Sequence, residues 1–274
     1  MNDSGQPLDM AENLRVSTLA MDIAEGLVSE NLRRAHEMLM ELPAGTDLAV
    51  LPELFTTSFM RDHRLMAEYA RSQAQLTVET LRGWASEFMC VIAGSFIAKS
   101  GPKMVNRGFM VKPDGTIRFY NKRHLFCLSP ESSLLKAGEE VSMVVEYKGW
   151  RITLIICYDL RFPAWCREAG YGSDLLLVPA NWPSARDYAW RQLLIARAIE
   201  NQQYVIGANR GGSDSFGDYD GMSMITDPLG RPMDTRTKQT EFGQIRSAEL
   251  SRASLDTLRH KMPFLKDADA FKIF

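Results

Sequence analysis

Gly172-Ser173-Asp174-Leu175-Leu176-Leu177-Val178-Pro179 repeats, 127 residues later, the pattern of Gly45-Thr46-Asp47-Leu48-Ala49-Val50-Leu51-Pro52. In each, turn-forming residues lead into a short apolar run that ends at proline, as expected of a buried strand entered from a turn. Two further matches keep the same order: Val91-Ile92 with Val205-Ile206, and Met110-Val111 with Met224-Ile225, both offset by 114 residues. Three ordered matches predict two similar halves, with two sheets packed face to face between helices.

The rest of the chain fits that frame. Strand-like runs cover Arg15–Leu19, Leu48–Leu51, Cys90–Phe96, Arg107–Val111, Ile117–Tyr120 and Val141–Tyr147. They resume at Arg151–Ile156, Leu175–Pro179, Tyr204–Ala208, Gly221–Ile225 and Gly243–Glu249. Helical patterns cover Glu30–Leu42, Ala74–Phe88, Trp190–Gln202 and Leu255–Lys261; Leu32, Ala35, Leu39 and Leu42 recur near a 3.6-residue period. Pro113-Asp114-Gly115 and Pro228-Leu229-Gly230 read as turns, and Gly211-Gly212 as a flexible loop. Helices alternating with strands indicate an α/β fold. No low-complexity linker divides the chain, so residues 14–274 are expected to form one domain behind a flexible leader, residues 1–13.

Composition narrows the function. The 274 residues are 45% hydrophobic and 24% charged, with 32 basic against 34 acidic side chains and a net charge of −2. That is ordinary globular composition without the basic footprint of a nucleic-acid binder. Four cysteines at 90, 127, 157 and 166 form no C-x-x-C pair, and the four histidines are scattered, so neither a disulfide framework nor a zinc site is expected. No apolar run is long enough to span a membrane and the first residues lack a signal-peptide pattern, so the expected location is the cytoplasm.

Three reactive side chains follow strand-like runs directly: Glu53 after Leu48–Pro52, Lys122 after Thr116–Asn121 and Cys157 after Ile152–Ile156. Ligand sites in α/β sheets gather at the carboxyl ends of strands. A carboxylate, an ammonium and a thiol supply base, charge stabiliser and nucleophile for acyl transfer. Cys157 precedes the abrupt polar turn Tyr158-Asp159-Leu160-Arg161-Phe162-Pro163 and a helix-like stretch, Trp165–Ala169. A turn of that kind exposes a nucleophile near backbone N–H groups. Cys90 reads as core. No G-x-S-x-G, Walker A or G-x-G-x-x-G is present.

Leu51-Pro52-Glu53-Leu54-Phe55, Asn121-Lys122-Arg123-His124-Leu125-Phe126 and Ile156-Cys157-Tyr158-Asp159-Leu160-Arg161-Phe162-Pro163 together resemble the nitrilase (carbon–nitrogen hydrolase) superfamily, whose Glu-Lys-Cys triad has this chain order. The resemblance runs from about Leu14 to Phe271. It implies a four-layer α-β-β-α sandwich, a homodimer and no metal or organic cofactor. A further family glutamate maps to Glu131, ahead of Gly138, with Glu139 and Glu140 as competitors beyond the glycine.

Pro179-Ala180-Asn181-Trp182-Pro183, Ala208-Asn209-Arg210 and the tail Pro263–Asp269 look most like the omega-amidase branch, which deamidates 2-oxoglutaramate and 2-oxosuccinamate. That resemblance implies a small-molecule amide substrate and a cysteine thioester, with the Tyr158 N–H beside Lys122 at the oxyanion. Asn181 and Trp182 are candidates to line the pocket. Arg161 is a candidate either to meet the substrate carboxylate or to brace its own loop. Other branches (deaminated-glutathione amidase, N-carbamoyl amide hydrolase, nitrilase) share the triad, and a non-catalytic metabolite-binding protein could share the scaffold.

Overall fold

The computed structural model describes residues 12–60, 62–140, 143–271 and 273. The expected leader, apart from Glu12 and Asn13, and Val141 at the start of one expected strand lie outside them. The first half runs β1 (Leu14–Met21), α1 (Val28–Met40), β2 (Leu48–Val50), α2 (His63–Ser72), α3 (Ala74–Glu87), β3 (Val91–Ser100), β4 (Lys103–Val111) and β5 (Ile117–Asn121). After the short α4 (Glu131–Leu134) come β6 (Val144–Tyr147), β7 (Trp150–Leu154), α5 (Pro163–Gly170), β8 (Leu175–Ala180), α6 (Asp187–Asn201) and β9 (Tyr204–Asn209). The chain ends with β10 (Gly211–Asp214), β11 (Gly217–Asp220), β12 (Met224–Thr226), β13 (Arg236–Thr240), β14 (Gly243–Leu250) and α7 (Arg252–Lys261).

One sheet has the order β13-β14-β1-β2-β3-β4-β5 and the other β12-β9-β8-β7-β6. The two share a sub-pattern. β1-β2-β3 are parallel with β4 antiparallel beyond them, and β7-β8-β9 are parallel with β12 antiparallel beyond. The repeat read in the sequence is therefore a repeat of topology.

Alternation along the strands builds the layers. Leu48 and Val50 of β2 join Val16, Val91 and Ala93 in one apolar cluster with Ile152 and Leu154 of the other sheet. Ala49, on the opposite face of β2, joins Ile92, Leu19 and Met21 against Ala35, Met38 and Leu39 of α1 and Leu81, Trp84 and Ala85 of α3. Trp165, Cys166 and Ala169 of α5 with Trp190, Leu194 and Ala198 of α6 pack with the second sheet. Strands covered on both faces need apolar residues at every position, which is why Leu175-Leu176-Leu177-Val178 shows no alternation. Helix, sheet, sheet, helix is the expected α-β-β-α sandwich.

The same aspartate anchors each half. Asp47 accepts the Arg15 N–H at 2.8 Å, and Asp174 accepts the Arg151 N–H at 2.9 Å. Each returns its own N–H to the same arginine's carbonyl at 2.8 Å. Gly45 (φ 76°) and Gly172 (φ 68°) lie against the Arg15 and Arg151 guanidinium groups, where a Cβ would come within 2.5 and 2.9 Å of Nη1. The repeated Gly-Ser/Thr-Asp is therefore a turn that needs a left-handed, side-chain-free residue, followed by a carboxylate that ties two parallel strands together.

Several features depart from the sequence reading: β11 and the edge strand β13 are not among the strand-like runs, and the strand expected from Gly221 begins at Met224. Gly211-Gly212 is a strand of the β10–β11 hairpin and not a flexible loop. Helix α2 is not among the helical patterns read, although Met66, Tyr69 and Ala70 fall at helical spacing and form its buried face; Asp62 starts it by accepting the Arg64 and Leu65 N–H groups. No helix among the described residues is long and apolar enough to cross a membrane.

The two anchors differ in their charge partners. Asp174 also binds Arg252 at 2.8 Å and Arg259 at 2.6 Å, both on α7, whereas among the described residues Asp47 pairs only with the more exposed Lys148, at 2.6 Å. Asp174→Ala should therefore cost about 2–3 kcal/mol in urea unfolding, because it removes the Arg151 N–H acceptor together with one carboxylate partner each of Arg252 and Arg259, which keep their other contacts. Asp47→Ala should cost about 1–2 kcal/mol.

Candidate active site

Glu53 emerges at the carboxyl end of β2, Lys122 follows β5, and Cys157 lies two residues beyond Ile155, past the end of β7. Facing sheets bring these ends to one place. Lys122 Nζ lies 2.8 Å from Glu53 Oε1 and 2.9 and 3.0 Å from the two oxygens of Glu131. Glu53, Lys122 and Glu131 are 4%, 2% and 3% exposed, and Cys157 is 8% exposed. Glu139 and Glu140 are exposed, and Glu139 pairs with Lys136, so Glu131 is the glutamate that reaches the lysine.

Each charged group is held from several sides. Glu53 Oε1 also accepts from Asn106 Nδ2 at 2.8 Å, while Oε2 accepts the Asn181 N–H at 2.9 Å. Glu131 Oε2 accepts the Phe126 N–H at 2.7 Å. The Lys122 backbone is clamped between Asn106, whose carbonyl takes its N–H, and Gly138, whose N–H bonds its carbonyl. Gly138 passes so close to this strand that a Cβ there would fall 1.9 Å from the Asn121 carbonyl oxygen.

Cys157 has φ 43°, a left-handed conformation unusual for a non-glycine residue, and opens a single 3-10 turn, Cys157–Arg161. Asp159 secures that turn. It is fully buried, and its Oδ2 accepts the Ile156 N–H at 3.1 Å and the Tyr120 hydroxyl at 2.8 Å. Its Oδ1 accepts the His124 N–H and lies 2.8 Å from His124 Nδ1. One carboxylate therefore couples the cysteine turn to the lysine segment.

Burial pushes the Cys157 thiol well above its ordinary pKa, and the Glu53 carboxylate beside it pushes further, against Lys122. The resting thiol is protonated. Burial alone would lower the Lys122 pKa, but Glu131 and Glu53 hold it well above the usual range, so the ammonium persists. Glu131 is raised by burial, against the pull of Lys122.

The group opens into a cavity of about 220 Å³. Its walls include Phe59, Phe126, Tyr158, Trp182, Phe216 and Tyr219. Asn181 lines it too, with its backbone N–H committed to Glu53. Trp182 both lines the cavity and packs into the core, 4% exposed against Trp190. Arg161 lies over the Trp182 ring at 4.8 Å, and Arg186 over the Phe126 ring at 5.2 Å. Neither guanidinium pairs with a carboxylate among the described residues, and both line the cavity. Sequence reasoning missed Arg186 and Asn106. Arg186 lies four residues past Trp182, whose Nε1–H bonds its carbonyl, but nothing local marks Asn106.

The charge balance yields a stability test. A raised folded-state pKa at Glu131 means the native state holds protons the unfolded chain has lost, so this group's contribution falls as pH rises through its folded pKa. Lys122→Met removes the opposing cation and should enlarge the effect. Urea unfolding should show the variant losing more stability than the wild type between pH 5 and pH 8. An equal pH slope for both proteins would mean that Lys122 does not oppose the upward shift of the Glu131 pKa.

Comparisons with known proteins agree with this geometry. A carbon–nitrogen hydrolase family profile matches residues 15–260. Omega-amidase YafV of Yersinia enterocolitica is 44% identical over 88% of this chain and 91% of its own length. 2-Oxoglutaramate amidase of Bacillus subtilis is 34% identical over 92% of this chain and 96% of its own. The crystal structure of XC1258 from Xanthomonas campestris, a CN-hydrolase superfamily protein with an arsenic adduct in its active site, superposes with a TM-score of 0.87 at 35% identity, covering 96% of this chain and 100% of that one. Fold, motif order and relatives coincide: the chain belongs to the carbon–nitrogen hydrolase family.

Proposed function

We propose that this hydrolase releases ammonia from the terminal amide of small omega-amido 2-oxo acids, 2-oxoglutaramate and 2-oxosuccinamate, through a thioester on Cys157. The carrying observation is a small cavity with a thiol, two carboxylates and one ammonium at its base and, on its wall, two guanidinium groups, Arg161 and Arg186, that pair with no carboxylate among the described residues. The names of the relatives at 34–44% identity support the substrate class. A cavity near 220 Å³ is below the usual range for drug-sized ligands and suits a short chain.

In this reading the Cys157 thiol stays protonated until substrate arrives, because burial and the neighbouring Glu53 disfavour a thiolate. Glu53, which lines the cavity with Cys157, takes the proton as sulfur attacks the amide carbon. The oxyanion forms against Lys122 Nζ and the Tyr158 N–H. Glu53 then protonates the leaving nitrogen, the C–N bond breaks, and ammonia departs. Water attacks the thioester with Glu53 again accepting its proton, and the acid is released with the thiol restored. Glu131 holds Lys122 in place with the Phe126 N–H behind it. Arg161, seated on Trp182, meets the carboxylate at the far end of the substrate.

The family resemblance further implies a homodimer, and the cytoplasm is the location proposed for the enzyme. Ile199, Leu229 and Met262 offer exposed apolar surface for a second copy.

Ammonia release from 2-oxoglutaramate, 2-oxosuccinamate, deaminated glutathione, a carbamoyl amino acid and a nitrile tests the reading. The two oxo-amides should be turned over fastest, and Cys157→Ala should abolish the activity. Arg161→Ala should raise KM for 2-oxoglutaramate roughly tenfold, about 1.4 kcal/mol, and leave a neutral amide unaffected. Preferred turnover of another compound would overturn the substrate class while keeping the chemistry. Activity surviving Cys157→Ala would overturn the nucleophile.

A further inference from the structure

The β10–β11 hairpin belongs to neither main sheet. Its base rests on the end of β1, through the Asp22–Gly211 bridge and a contact so close that a Cβ on Gly212 would fall 1.8 Å from Asp22 Oδ1. Its turn carries Phe216, which lines the cavity and meets Phe59 edge-to-face at 5.5 Å and 75°. Phe59 comes from the other side, six residues after Glu53. Two unrelated segments thus meet through one aromatic pair on the cavity wall.

A buried ion pair holds both segments. The Arg210 side chain is fully buried, and that of Asp214 is 1% exposed, at 2.7 Å. Arg210 Nη2 donates to the Ile23 carbonyl at 2.8 Å, fixing the pair to the body. On the hairpin side, Asp214 Oδ1 accepts the Phe216 N–H at 2.8 Å and the Tyr219 hydroxyl at 3.1 Å. On the Glu53 side, Ser58 donates to Asp214 Oδ2 at 2.7 Å and accepts from Arg210 Nη1 at 2.8 Å. Ser58 has φ 54° and is followed directly by Phe59. A charge buried to this degree is retained only when paired, so the two segments are fastened at one point. Glu53 is oriented independently, by Lys122, Asn106 and Asn181. Loosening the ion pair therefore shifts the aromatic wall and spares the base.

We propose that the Phe59–Phe216 pair is the size filter of the cavity, setting the length of amide chain accepted, and that Arg210 and Asp214 are positioning residues that hold it closed. The inference rests on the reading of this cavity as the substrate site of an amide hydrolase.

The experiment compares omega-amides of 2-oxo diacids with four, five and six carbons. Phe216→Ala and, from the other segment, Phe59→Ala should each raise the six-carbon to five-carbon ratio of kcat/KM by roughly tenfold, the scale of one methylene in an apolar pocket. Asp214→Ala should move the ratio in the same direction. A merely structural role would lower both substrates together, and ratios unchanged in all three variants would overturn the filter. A second reading needs no turnover: alkylation of Cys157 by iodoacetamide and by its bulkier N-benzyl analogue. Tryptic peptide 152–161 reports Cys157, apart from peptide 124–136 with the exposed Cys127. If the wild type hydrolyses none of the series, a bulky-to-small alkylation ratio that rises in the variants keeps the filter and sinks the substrate reading. An unchanged ratio sinks the filter.

Discussion

The Lys122 ammonium, fully enclosed between Glu53 and Glu131, is the constraint around which the rest of the site is arranged. Two carboxylates and one cation out of contact with water are tolerable only if every oxygen and proton finds a partner. The structure meets that demand with groups drawn from four places: Asn106 on β4, the Asn181 N–H beyond β8, the Phe126 N–H, and the lysine itself. Moving any of these elements leaves a charge uncompensated. The cluster therefore fixes the relative positions of both sheets as firmly as the apolar contacts between them.

The duplicated architecture explains how distant residues can meet so closely. Each half carries parallel strands whose carboxyl ends lie on the same side, and packing the sheets face to face brings the two sets of ends together. β2 delivers Glu53 from the first half, and β7 delivers Cys157 from the second. The halves have diverged where the chemistry differs: beyond β2 the chain turns through left-handed Leu54 and Ser58, while beyond β7 it closes a 3-10 turn behind left-handed Cys157.

How much of this is legible in the sequence depends on the reach of each interaction. Glu53, Lys122 and Cys157 stand out because each directly follows a strand-like run, and the repeated Gly-Ser/Thr-Asp exposes the topology because the same turn and carboxylate stand at the entrance to a parallel strand in each half. Glu131 is separable from Glu139 and Glu140 only in three dimensions, where one faces the lysine and the others face solvent. Arg161 is ambiguous by itself because its seat, Trp182, lies on another strand end. Asn106 and Asp214 leave no local trace; their partners Glu53 and Ser58 are 53 and 156 residues away. Gly211-Gly212 reads as loose chain because glycines usually punctuate, yet here Gly212 is required by its near-contact with Asp22.

The strained cysteine completes the physical picture. A non-glycine residue held left-handed costs on the order of 1–3 kcal/mol, and it persists only where its surroundings over-determine it. Asp159 provides that determination, tying the Ile156 N–H, the Tyr120 hydroxyl and the His124 backbone to one buried carboxylate. Because Tyr120 and His124 flank Lys122, the same contacts that enforce the turn also set the distance between thiol and ammonium. The strain at Cys157 and the placement of Lys122 are two consequences of one carboxylate, so the cysteine turn and the lysine segment are fixed as a unit.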